Sequence, residues 1–171
     1  MKFTAAATVT RLGELGAQVA VAESLTAGLV VDELARIPGA SEVLRGGVVA
    51  YASAIKAAVL GVEEDLLQTG GAVQAAVARQ MVLGVCRLMG SDYGIATTGV
   101  AGPGPAEGRA AGTVIVAAGS RHDVRVRQLQ LAGTREAVRR TSVAAALALL
   151  ASVLEDAPRD REHLGDERSY R

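Results

Sequence analysis

Apolar residues along the chain follow two patterns, short continuous runs and repeats spaced three or four residues apart. Runs of about four to eight apolar residues between glycine or polar turns predict buried strands, and the wider spacing predicts helices with one buried face. The predicted strands are 18–22, 43–51, 93–98, 113–118 and 124–131. The predicted helices are 4–15, a segment from about 26 to 37, 53–60, 63–68, 72–89 and 134–154.

Strands alternate with helices until a hairpin near the end, which joins the last two strands through residues 119–123. This order predicts an α/β fold, a three-layer α/β/α sandwich around a mixed, mostly parallel five-stranded sheet with one antiparallel strand. Residues 1–157 are expected to form a single domain. Residues 158–171 are charged and lack apolar periodicity, so they are expected to form a flexible C-terminal tail.

The balance of charge excludes some classes of partner. The chain carries 18 basic and 18 acidic residues, so it lacks the broad basic surface that nucleic acids or anionic membranes attract. No signal peptide and no run of about 18 apolar residues is evident. With a single cysteine, these features favour a soluble, cytoplasmic protein that binds neither nucleic acid nor membrane.

The cysteine and histidine content limits the candidate chemistry. One cysteine and two histidines cannot supply a Cys/His zinc cluster. Cys86 lies within an apolar helical run and is interpreted as a small core residue. The apolar faces of the first and last helices are compatible with a homo-oligomer or with packing inside one chain, and the sequence leaves both open.

Polar residues mark the ends of three predicted strands. Ser24 follows the first strand, Tyr51 ends the second, and Thr98 and Gly99 end the third. In open parallel sheets, ligands bind beyond the carboxyl ends of the strands. A serine at such a position is often only a helix cap, but the convergence of three marked ends favours a functional role for Ser24.

Lys56 is unusual because the other basic residues, apart from Lys2, are 16 arginines. Arginine does not lose its proton in proteins, whereas a buried lysine can become a neutral general base for a serine. The alternative is that Lys56 is only a solvent-exposed residue on a short helix. Tyr51 either orients the serine hydroxyl or packs at the rim. The functional hypothesis requires Ser24 and Lys56, 32 positions apart, to meet at one edge of the sheet.

Several segments together carry a resemblance to a known family. The sequence resembles the C-terminal domain of the competence/damage-inducible protein CinA, whose stand-alone forms, called PncC, are nicotinamide-nucleotide amidases. The resemblance covers roughly residues 4–154. The segments that carry it are AESLTAG at 22–28, GGVVAY at 46–51 with Lys56, LGV at 60–62, GAV at 71–73 and TGVAGP at 98–103.

The resemblance implies an amidohydrolase that converts nicotinamide mononucleotide to nicotinate mononucleotide and ammonia, a step of pyridine nucleotide salvage, without metal or organic cofactor. By motif match, Ser24 is the nucleophile, Lys56 its base and Tyr51 an orienting partner, and Arg135 holds the substrate phosphate. Ser41 either reaches the site or is an N-cap or turn residue. Arg139, one turn after Arg135, either joins it in binding the phosphate or lies on a solvated helix face. The implied substrate-binding residues are Glu23, Thr26, Ser41, Thr98, Gly99, Gly102 and Arg135.

Two departures from the family pattern keep a second reading open. The family usually has Cys-Thr-Gly-Gly after the serine, where this chain has Leu25 to Gly28. Between the tyrosine and the lysine the usual Ser-Asn-Glu-Ala is replaced by Ala52 to Ile55. The alternative to an active amidase is a non-catalytic pyridine-nucleotide-binding or interaction protein on the same fold.

Overall fold

The computed structural model describes residues 5–157. This part of the chain forms five strands and seven helices. The strands are β1 (Val19–Glu23), β2 (Leu44–Val49), β3 (Tyr93–Gly99), β4 (Thr113–Ser120) and β5 (Val124–Gln130). The helices are α1 (Ala5–Glu14), α2 (Leu29–Ala35), α3 (Ala40–Val43), α4 (Ser53–Leu60), α5 (Glu64–Gly70), α6 (Ala75–Met89) and α7 (Arg135–Glu155).

The strands form one sheet in the order β2-β1-β3-β4-β5. β1 is parallel to both of its neighbours, β2 and β3, whereas β4 is antiparallel to β3 and β5. Four strands therefore point one way and β4 points the other. The predicted mixed sheet with one antiparallel strand is confirmed.

Alternate residues of the central strands supply two separate cores. Val19 and Val21 of β1 face the core that α1, α2, α3 and α7 cover. Ala20 and Ala22 face the opposite core, which α4 and α6 cover, with leucines of α5 packed at its margin. Because every residue of β1 is buried, the sheet is the middle of three layers.

Two glycines allow close approach between layers. A Cβ on Gly47 of β2 would collide with the side chain of Val31 on α2, and one on Gly84 of α6 would collide with the Leu60 carbonyl at the end of α4. The sequence predicts either a bulge or a close approach at Gly46 and Gly47. The structure has both, since the pairing of β1 with β2 shifts register beside Gly46.

The structure moves several predicted boundaries. α2 begins at Leu29 and not near residue 26, because Ala27 and Gly28 have positive φ angles of 51° and 98° and form a turn. β2 begins only at Leu44, because the preceding four residues form the short helix α3. α6 begins at Ala75 rather than at residue 72. The predicted tail, 158–171, and Thr4 lie outside the described residues.

α7 is the core helix on its side of the sheet. An 18-residue stretch of it has a mean hydropathy of 1.5, so by length and composition α7 could span a membrane, and it is the one helix of residues 5–157 with that property. Half of that stretch is buried inside the fold, packed mainly against β4 and α1. The buried apolar residues of α1 and α7 thus belong to one core of the chain.

Candidate active site

The carboxyl ends of β1, β2 and β3 meet at one edge of the sheet. Glu23, the last residue of β1, pairs with Val49 of β2 on one side and with Thr97 of β3 on the other. The chain leaves all three strands at this level, so Ser24, the segment after Val49 and the Gly99 loop lie side by side. This is the convergence that the sequence predicts.

Ser24 is the first residue beyond β1 and is fixed through its backbone. Its N–H donates to the Thr97 carbonyl at 3.0 Å, and its own carbonyl accepts from Ala27 N–H at 3.1 Å. Ala27 closes this turn with a φ of 51°, which costs an alanine about 1 kcal/mol relative to glycine. The family pattern has glycine here, and the left-handed turn supplies the physical reason.

Glu23 anchors the same turn from below. Its side chain is fully buried, and its carboxylate accepts from the backbone N–H groups of Gly28, Val30 and Val31 at 2.9, 3.1 and 3.0 Å. The negative charge also lies at the N-terminus of α2, where the helix dipole favours it. Glu23 therefore joins the end of β1 to the start of α2.

Glu23→Gln is expected to lower the free energy of unfolding by about 2 kcal/mol, because the amide nitrogen would face a buried N–H in place of an acceptor oxygen. Urea denaturation measures the change. Glu42→Gln, at an exposed position of α3, serves as the control and should alter stability by less than about 0.5 kcal/mol. Equal effects of the two substitutions would show that the three hydrogen bonds contribute little.

Arg139 of α7 clamps the turn from the other side. Its Nε donates to the Leu25 carbonyl and its Nη2 to the Thr26 carbonyl, both at 2.9 Å. The guanidinium is thus engaged with the turn backbone, which places it outside both sequence interpretations, phosphate binding and a solvated helix face. The turn that carries Ser24 is held between the sheet and α7.

Arg139→Met is expected to reduce turnover of nicotinamide mononucleotide, the substrate that the resemblance implies, about tenfold. The reason is that two charge-assisted hydrogen bonds that hold the turn are lost. Arg140→Met is the matched control, because that guanidinium makes only an exposed ion pair with Glu136. Steady-state kinetics of both variants measure the difference. If Arg139→Met and Arg140→Met have the same turnover, the clamp does not position Ser24.

Lys56, on α4, points inward and is only 1% exposed. Its Nζ lies 3.1 Å from Ser24 Oγ, 2.8 Å from the Ala50 carbonyl oxygen and 3.3 Å from the Tyr51 carbonyl oxygen. Burial lowers the pKa of this amine from its ordinary value of 10.5, while the charge of Glu107 acts in the opposite direction. The predicted meeting of Ser24 and Lys56 is present in the structure.

An open cleft of about 370 Å³ lies above this pair. Its walls come from the segments that follow the three strands, from the start of α7 and from the residues before α6. The lining residues are Ser24, Leu25, Tyr51, Lys56, Ala72, Val73, Thr98, Gly99, Val100, Ala101, Gly102, Gly104, Pro105, Ala106, Glu107 and Arg135.

Tyr51 and Arg135 form one rim of the cleft. Arg135 donates to the Tyr51 hydroxyl and to the Gly102 carbonyl, both at 2.9 Å. Tyr51 is 58% exposed, so its ring stands at the mouth. Of the two alternatives for Tyr51, its position fits the one at the rim, because its hydroxyl accepts from Arg135 and only its backbone carbonyl contacts Lys56.

The backbone of β3 directs one N–H toward Ser24. Thr97 accepts from Ser24 on the β1 side, and Val100 N–H donates to Thr113 on the β4 side. Peptide groups alternate along a strand, so the Gly99 N–H is turned toward the side of the cleft where Ser24 lies. Thr98 Oγ1 donates to the Ala72 carbonyl at 2.9 Å and so ties the opposite wall to β3.

Three of the predicted substrate-binding residues lie outside the cleft lining. Glu23 has its carboxylate saturated by backbone donors, as described above. Thr26 is fully buried, with its hydroxyl 2.7 Å from that of Thr97. Ser41 is exposed on α3.

Glu107 is a cleft residue that the sequence analysis missed. It lies in a Gly/Pro-rich loop with no periodic pattern, so nothing in the local sequence indicates which way its side chain points. Only the folded loop brings its carboxylate to Ala72 N–H, at 2.6 Å.

Cys86 is buried in α6, as predicted. Burial raises the pKa of its thiol, which disfavours the nucleophilic thiolate.

Comparison with known proteins identifies the family of this chain. The family profile described as the CinA C-terminal domain matches residues 1–154. A CinA-like protein of Frankia casuarinae is 42% identical over 147 residues, which is 86% of this chain and 34% of that protein. The chain thus spans about a third of the length of the curated relatives it matches.

Solved structures match over nearly their whole length. A CinA superfamily protein of Klebsiella pneumoniae has 31% identity and a TM-score of 0.85, covering 88% of this chain and 95% of that one. A competence/damage inducible protein of Agrobacterium tumefaciens has 34% identity and a TM-score of 0.83, covering 87% and 92%. Sequence and structure together place the chain in one family: it belongs to the CinA C-terminal domain family.

Proposed function

We propose that this chain is an amidohydrolase that deamidates nicotinamide mononucleotide, giving nicotinate mononucleotide and ammonia. The observation that carries the proposal is the 3.1 Å contact between Lys56 Nζ and Ser24 Oγ at the floor of an open cleft. A serine with a buried lysine as its base is a known arrangement for nucleophilic catalysis.

The surroundings of Lys56 suit the role of a base. A neutral amine has two hydrogens and one lone pair. The carbonyl oxygens of Ala50 and Tyr51 can accept the two hydrogens, which leaves the lone pair for the Ser24 hydroxyl. Burial lowers the pKa of Lys56 and so favours this neutral form.

The reaction follows from these parts. Lys56 takes the proton of Ser24 as Oγ attacks the amide carbon, and the Gly99 N–H is available to the oxygen that becomes negative. The C–N bond then breaks, and Lys56 passes the proton to the departing nitrogen, which leaves as ammonia. Water attacks the resulting ester, the proton passes through Lys56 to Ser24, and the carboxylic acid is released.

Arg135 supports the choice of a phosphorylated substrate. It lies at the first position of α7, beside the cleft, where backbone N–H groups and the helix dipole also favour an anion.

The departures between Tyr51 and Lys56 do not remove contacts of the amine. Ala52, Ala54 and Ile55 are exposed, and Lys56 points to the opposite side of α4. All three hydrogen-bonding partners of the amine come from other positions. This arrangement favours the active enzyme over the non-catalytic alternative.

The test is to incubate the purified chain with nicotinamide mononucleotide and to measure ammonia and nicotinate mononucleotide, which should form in equal amounts. Calorimetry with the same compound separates binding from turnover. Binding without ammonia release would favour a non-catalytic pyridine-nucleotide-binding protein. Absence of both would overturn the proposal.

A further inference from the structure

Three lining residues of the cleft are basic or acidic, and each lies in a different part of it. Lys56 lies at the floor, where burial favours its neutral form. Arg135 lies at the rim with Tyr51, and Glu107 belongs to the loop that forms another wall. Away from the floor, Arg135 and Glu107 give the cleft one positive and one negative side chain.

The Glu107 carboxylate is held in a defined position. Ala106 and Arg109 exchange two backbone hydrogen bonds, of 3.1 and 2.9 Å, across a two-residue turn formed by Glu107 and Gly108. Both turn residues have positive φ angles, 49° and 68°, as a tight hairpin turn requires. The turn therefore fixes the direction of the Glu107 side chain.

A hydrogen bond orients the carboxylate further. Ala72 N–H donates to Glu107 Oε2 at 2.6 Å, and a Cβ on Gly71 would lie 2.6 Å from the same oxygen. Within residues 5–157 the carboxylate makes no ion pair. Its charge also reaches the floor of the cleft, because it opposes the lowering of the Lys56 pKa.

We propose that Glu107 is a specificity-determining residue that selects amides carried on a positively charged ring. This inference rests on the proposed amidase function and narrows its substrate class. The pyridinium ring of nicotinamide mononucleotide is cationic and its phosphate is anionic. Glu107 and Arg135 give the cleft the complementary pair of charges, so one faces the ring and the other the phosphate.

The test uses two ligands that differ in one charge, nicotinamide mononucleotide and its reduced form with an uncharged 1,4-dihydropyridine ring. Their dissociation constants are measured by calorimetry on Ser24→Ala, which prevents turnover, and on Ser24→Ala combined with Glu107→Gln. Glutamine can still accept from Ala72 N–H, so the wall should keep its shape. Thermal denaturation checks that the two variants are equally folded.

Removing the carboxylate should weaken binding of the oxidised ligand about five- to tenfold and leave the reduced ligand within about twofold. Glu64→Gln in the same background, at an exposed position of α5, should change neither value. An unchanged preference, or an equal loss for both ligands, would overturn the inference. Failure of the amidase proposal is a separate result, seen as absence of ammonia release from the unsubstituted chain.

Discussion

Ser24→Ala is expected to reduce ammonia release from nicotinamide mononucleotide by on the order of 10⁴-fold. Without Oγ there is no nucleophile, and water would have to attack an amide directly. Lys56 keeps its two carbonyl acceptors, so the variant should fold normally. The dissociation constant of the substrate should change by less than about threefold, because the hydroxyl makes a small part of the binding surface.

Ser41→Ala is the matched control for this experiment. Ser41 is exposed on α3 and does not line the cleft, so its removal should leave turnover unchanged. Mass spectrometry of the unsubstituted chain, quenched during turnover, should detect an acyl group on the peptide that contains Ser24. Turnover by Ser24→Ala at even a tenth of the original rate would exclude Ser24 as nucleophile.

Lys56→Arg is expected to lower turnover by about 10³- to 10⁴-fold, the usual contribution of general acid–base catalysis at its upper range. Guanidinium stays protonated and cannot accept the Ser24 proton. Because Lys56 is 1% exposed, the larger side chain also strains the core. Lys56→Ala avoids this strain, and added small primary amines should restore part of its activity.

The pH dependence of the unsubstituted chain tests the same role. The base must be neutral, so turnover should rise with pH and level off above the pKa of Lys56, which burial places below 10.5. The acidic limb should disappear in the amine-rescued Lys56→Ala variant and be replaced by one that follows the pKa of the added amine. A limb that does not depend on the amine would exclude Lys56 as the base.

Burial of Lys56 also makes stability depend on pH, with a definite sign. The folded-state pKa is lower than 10.5, so between these two values the unfolded chain binds more protons at this position. The unfavourable contribution of Lys56 to stability is therefore complete at low pH and decreases as pH rises through that window. Burial of Lys56 thus disfavours its charged form in the folded chain and favours the neutral form that can act as a base.

The sequence predicts the fold because its signals are local and repeated. Apolar runs between glycines locate all five strands, and the final hairpin predicts one reversed strand. Predicted boundaries differ where a tertiary contact competes with helix propensity. Around Ala27, the buried Glu23 carboxylate stabilises a turn that an apolar pattern alone reads as the first turn of α2.

The site is predictable only in part. The strand-end rule brings Ser24, Tyr51 and Gly99 to one edge, and the scarcity of lysine indicates Lys56. The sequence does not indicate which way the individual side chains point. Arg139 could not be assigned to the Leu25 and Thr26 carbonyls from the sequence, because α7 meets the turn across more than a hundred residues of chain.

The proposed catalytic pair, Ser24 and Lys56, and the proposed specificity residue, Glu107, belong to different parts of the fold. Ser24 and Lys56 depend on a fully buried central strand and on an inward-facing helix position. Glu107 lies on an exposed hairpin turn within the loop between β3 and β4. Loops of this kind tolerate sequence change far better than core strands. Replacing the β3–β4 loop should therefore change which amides the cleft accepts while Ser24 and Lys56 stay in place.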